Sequence, residues 1–145
     1  MAASDYQSIP AYQKLKTLRP LLLKLHKALL NAERDHYERI HGPITSKGEF
    51  FQLVIGDEWF SWLRPMSQFI VQMDEVLWSK DPVSPNQIHT LLEEVRGLVP
   101  QDDTEGEAAT RYFQALQRDT AVAGLHGEVT LLLGSSAANG DTPSV

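Results

Sequence analysis

The residues best equipped for chemistry in this chain are Glu33 and His36, which lie three apart in Glu33-Arg34-Asp35-His36. On an α-helix this spacing puts a carboxylate and an imidazole on neighbouring turns of one face, where oxygen and nitrogen can converge on a metal ion. His26 shares that face seven residues earlier, and Tyr37 lies on its edge. Two helical turns separate His26 from Glu33 by about 10 Å, which disfavours direct sharing of one ion. Completing groups would come from other helices, and Glu58, Asp74, His89 and His126 are the candidates, although no later helix repeats the Glu-x-x-His pattern. A second such pair, Glu38 and His41, points toward solvent at the helix end. With these donors the ion would be iron, zinc or manganese. The ordinary alternative is a partly buried hydrogen-bonded cluster, with Tyr37 and Gln52 supplying partners.

A second kind of chemistry is recognition. The segment Gly56 to Pro65 is rich in aromatic residues. Drawn on one helix, Trp59 and Trp62 project toward the core, whereas Leu53, Phe60, Val71 and Trp78 form a second stripe about 100° away. A stripe of that kind, left exposed, marks contact with another helix or subunit.

The elements that must carry these residues are helices. Leu15, Leu18, Leu22, Leu25, Leu29 and Ile40 recur on one face between Leu15 and His41, with Lys16, Lys24, Lys27 and Arg34 opposite. Ser8 with Ile9-Pro10 reads as the helix start, Pro20 predicts a bend or a fresh start near Thr17, and Gly42-Pro43 predicts the stop. Ser46 and Glu49 match a capping box opening a second long helix to Ser79, kinked at Pro65, whose main face carries Gln52, Ile55, Trp59, Trp62, Leu63, Met66, Ile70, Met73 and Leu77. Ser84-Pro85 starts a third, with Ile88, Leu91, Leu92, Val95 and Val99 inward. Thr104 or Asp103 is placed to cap a fourth.

Ala109, Tyr112, Phe113 and Leu116 lie nearly opposite Val122, Leu125, Val129 and Leu132 if one straight helix is drawn. That phase change predicts a break near Asp119, with a short last helix over Thr120 to Leu133 capped by the Asp119 carboxylate. Strand signals are absent. The fold class expected is all-α, an antiparallel helical bundle with two long N-terminal helices and two or three shorter C-terminal ones. Residues 1–134 are read as one domain and 135–145 as a mobile tail.

Composition narrows the function. The chain of 145 residues is 42% apolar and 22% charged, which suits one globular domain. It has no cysteine, which removes disulfides, thiolate metal sites and cysteine nucleophiles together. Residues 1–41 carry a net charge of +3 and the remainder −9, so the first helix is expected to face acidic neighbours and no concentrated basic surface points to nucleic acid. No signal segment or membrane span is legible, and a cytoplasmic location is the expectation. The reading is a non-catalytic protein-interaction or self-association module without a cofactor, acting as a homodimer or with a protein partner. The competing reading is a metal-binding bundle, a redox protein or metal sensor, using Glu33, His36 and His26.

Overall fold

The computed structural model describes residues 10–100 and 106–141, the last seven as backbone alone. Among the described residues every regular element is helical. In chain order they are α1 (Pro10–His41), α2 (Lys47–Gly56), a 3-10 helix (Glu58–Leu63), α3 (Arg64–Leu77), α4 (Pro85–Leu98), α5 (Glu107–Arg118) and α6 (Thr120–Asp141). The all-α class is therefore as the apolar periodicity requires.

α1 is the central post, in contact with α6, α4, α3, α5 and the 3-10 helix. Leu15, Leu18, Leu22, Leu25 and Leu29 are fully buried along it, while Lys16, Lys24 and Lys27 are exposed opposite. Each buried leucine contributes about 2 kcal/mol of apolar transfer free energy. Pro20 neither ends α1 nor restarts it, since the helix is assigned without interruption from Pro10 to His41. Pro20 and Lys16 are both exposed, so water can satisfy the carbonyl whose donor the proline removes. Ser8, expected as the cap, lies outside the described residues. Arg19 holds Asp74 of α3 through two hydrogen bonds of 2.7 and 3.1 Å, one case of the acidic partner expected for α1.

The second long helix is corrected to three pieces. Asp57 adopts an extended conformation (φ −92°, ψ 141°) and its carboxylate accepts from the Trp59 amide at 2.8 Å, so it ends α2 and caps the 3-10 helix in one residue. Pro65 then sits in the first turn of α3, where its missing N–H frees no carbonyl, and no kink is needed. The start of α2 is close to expectation. Ser46 Oγ accepts from the Glu49 amide at 3.0 Å, but Glu49 reaches past Ser46 to the amide and hydroxyl of Thr45, at 2.9 and 2.8 Å.

α4 carries both halves of a capping box between Ser84 and Gln87, and Ile88, Leu91, Leu92, Val95 and Val99 are buried. Gly106 takes the N-cap position of α5, at φ 121°, a conformation for which glycine is suited; Asp103 and Thr104 lie outside the described residues. The break near Asp119 is present, with its carboxylate accepting from the amides of Ala121 and Val122 at 2.9 and 3.1 Å. α6 then continues past Leu133 to Asp141, across the boundary drawn at residue 134. Ala137 and Ala138, with the best helix propensity of any residue, favour helix there without an apolar stripe.

Candidate functional site

Glu33 is the one charged residue buried without measurable exposure among the described residues. It faces inward because its helical phase matches Leu22, Leu25 and Leu29, so α1 delivers a carboxylate to the core. Its partners come from α5. Arg111 Nη2 donates to Glu33 Oε1 at 3.2 Å, and Arg118 Nη2 stands 3.6 Å from Oε2. Arg111 and Arg118 are seven residues apart and therefore share a face of α5.

The 3-10 helix completes the arrangement. Trp59 Nε1 donates to the backbone carbonyl of Glu33 at 3.3 Å, and the Trp59 carbonyl accepts from Arg111 at 3.0 Å. The Arg111 guanidinium also lies over the Trp59 ring, 4.9 Å from its centroid. His36 meets the same indole edge-on at 5.1 Å, and Tyr37 and His41 pack on it at 5.6 and 5.5 Å. Trp59 thus ties α1 to α5.

The electrostatics of this cluster oppose a cation. One carboxylate stands between two guanidiniums, so the local charge is already positive before any ion arrives. Burial first, then Arg118, Arg111 and Arg39, hold the His36 imidazole below its ordinary pKa of 6.5, against the opposing pull of Glu33. Glu33 Oε2, Arg118 Nη2 and His36 Nδ1 are buried atoms without a hydrogen-bond partner. Two of them, Glu33 Oε2 and Arg118 Nη2, face each other as an ion pair at 3.6 Å. No group of three or more His, Asp or Glu among the described residues is arranged to hold a metal ion.

The other named residues are engaged elsewhere or stand alone. His26 bonds the backbone of Leu63, and burial depresses its pKa. Asp74 is taken by Arg19, Glu38 accepts from the Ile44 amide at 2.8 Å, and Glu58 and His89 are exposed. His126 Nδ1 and the Tyr112 hydroxyl are 2.6 Å apart, with the tyrosine pKa raised by burial. Gln52, expected opposite His36, lies on the outer face of α2. Nothing in the helical pattern pairs Glu33 with these arginines. Their only local signal is the seven-residue spacing of two basic side chains, which a helical projection assigns to solvent as readily as to a buried acid.

The recognition stripe divides. Phe60 is fully buried, a correction that follows from the 3-10 geometry: three residues per turn rotate it inward, where it packs on Phe50 at 5.7 Å and Tyr37 at 5.9 Å. Leu53 is half-buried, whereas Val71 on α3 and Trp78 (70% exposed) just past its end remain in solvent.

A further apolar surface lies on α2, whose sequence is KGEFFQLVIG and in which no residue is buried. Its inner side, Phe50, Leu53 and Val54, is half-buried; Phe50 packs on Phe60 and beneath the Arg34 guanidinium, 4.9 Å from the ring centre. Its outer side, Gly48, Phe51, Gln52, Ile55 and Gly56, is exposed throughout. Phe51 is 59% and Ile55 52% exposed, and Ile55 and Ile40, both expected in the core, are corrected to the surface. The separation of α2 from α3 at Asp57 is what turns Ile55 outward. Comparison of the chain with protein-family models, curated proteins and solved structures found no match.

Proposed function

We propose that this protein is a non-catalytic interaction module that associates with a second copy of itself through α2. The observation that carries the reading is that α2 is apolar on both sides while its own fold uses only one. Phe51 and Ile55 lie one turn apart on the unused side, and burying such side chains is the main favourable term in association. The Glu33 cluster supports the same reading from another direction, because its carboxylate is neutralised by arginines and serves to fasten α5 to α1. Trp78 and Val71 form a second exposed apolar feature, at the C-terminal half of α3 and its cap.

Sedimentation velocity over a range of protein concentrations tests the proposal. Wild type is expected to pass from monomer to dimer as concentration rises, and Phe51→Lys with Ile55→Lys to stay monomeric with unchanged circular dichroism. A wild-type protein that remains monomeric into the hundreds of micromolar refutes it. So does a dimer that the double substitution leaves intact.

A further inference from the structure

The outer face of α2 has a pattern that fits its own inverse. Gly48, Phe51, Gln52 and Ile55 share this face, and all four are exposed. Reversing the helix about a point between Phe51 and Gln52 exchanges Gly48 with Ile55 and Phe51 with Gln52. A branched aliphatic side chain then lies over a position with no side chain. The space at Gly48 is open, since a Cβ there would meet only Ser46 Oγ at 3.9 Å. The same reversal brings the helix ends together in opposite sense. α2 begins at Lys47 and is followed by Asp57 and Glu58, and both Lys47 and Glu58 are exposed. The partial charges of two antiparallel helix dipoles are complementary as well.

We infer that two copies pair through antiparallel α2 helices about a two-fold axis near Phe51 and Gln52. Ile55 of each copy seats on Gly48 of the second copy, and Lys47 lies toward the acidic Asp57–Glu58 end of the other α2. This is an isologous contact, in which each residue meets its exchange partner on the other subunit. The inference rests on the self-association reading above and adds its geometry. A ten-residue helix is about 15 Å long, and its face falls short of the roughly 800 Å² per partner of a standard interface, so the dimer belongs to the weak, transient class.

The absence of cysteine from the chain makes the geometry directly readable. Single full-length variants Gly48→Cys, Gln52→Cys and Ile55→Cys are mildly oxidised alone and in pairwise mixture, with sedimentation of the reduced proteins as the parallel measurement. The two copies of Gln52 flank the two-fold axis, offset by only about 1.5 Å along the helices, so the antiparallel pairing expects Gln52→Cys to cross-link with itself. It expects Gly48→Cys to cross-link with Ile55→Cys in the mixture and neither of those two to cross-link alone. Self-cross-linking of all three variants means a parallel pairing and overturns the inference while leaving self-association standing. A reduced dimer with no cross-link at any of the three positions overturns it in the same way, placing the interface elsewhere. A reduced protein that is monomeric throughout overturns the inference and the proposed function together.

Discussion

Removal of the Glu33 carboxylate is the most informative perturbation of this fold. Glu33 is fully buried, and the side chains that meet it, Arg111 and Arg118, retain 18% and 23% of their exposure. Glu33→Ala would leave both guanidiniums without their buried counter-charge and a cavity beside Leu29 and Ala32. Breaking a buried ion pair by deleting one partner costs about 3–5 kcal/mol, and the partial water access of the arginines favours the lower end. For a domain of this size about 3 kcal/mol corresponds to a fall in Tm of about 10 °C. Glu33→Gln keeps the volume and one acceptor for Arg111, so about 2 kcal/mol is expected. Arg118→Met should cost about 1 kcal/mol, because Arg118 stands 3.6 Å away without a hydrogen bond, and Arg111→Met should cost more. Urea denaturation followed by circular dichroism measures all four. The reasoning is refuted if Glu33→Ala and Glu33→Gln both fall within about 0.5 kcal/mol of wild type, or if Arg118→Met outweighs Arg111→Met. A rise in Tm on adding zinc or manganese that is lost in His36→Ala would instead establish the metal reading.

Stability should also depend on pH through histidine. Burial lowers the pKa of His26, His36 and His126 in the folded chain, so the unfolded chain binds protons first. Stability is then expected to be level above about pH 7 and to decline as pH falls below 6.5 toward the depressed values, with His36→Gln flattening part of the slope. A stability that rises on acidification through this window would contradict the burial of these rings. Pro20→Ala restores a donor to the Lys16 carbonyl on an exposed stretch of α1 and should raise stability by about 1–3 kcal/mol in the same urea titration. Asp119→Ala removes the acceptor of two amides at the start of α6 and should cost about 1–2 kcal/mol. No loss there would mean that the α5–α6 corner is held by packing alone.

What was legible in the sequence is what depends on near neighbours. The buried face of α1 and that of α4, the Ser84 cap and the break at Asp119 all follow from periods and caps within a few residues. The second helix failed because Asp57 and Pro65 each admit two roles. Asp57 can ride mid-helix or cap a new one, and Pro65 can kink a helix or open it; tertiary packing of Phe60 and Leu63 chose the second of each. Ile55 then turned outward. The environment of Glu33 was illegible for a different reason, since Arg111 lies 78 residues away and nothing local to α1 encodes it. The spacing of Glu33 and His36 did identify the buried polar end of the helix, but not the sign of the charge waiting there.

The contact between α1 and α6 bears on how the chain is made. Lys14 donates to the Leu132 carbonyl at 2.9 Å across 118 residues, and the buried leucines of α1 share a core with Val122, Val129 and Leu133. During synthesis the leucine stripe leaves the ribosome first and its last partners about a hundred residues later. At roughly 5–20 residues per second, that leaves the stripe incomplete for about 5–20 s. α1 is therefore a nascent-chain liability before it is a structural post, and a chaperone that binds leucine-rich segments would meet this protein at its N-terminal third.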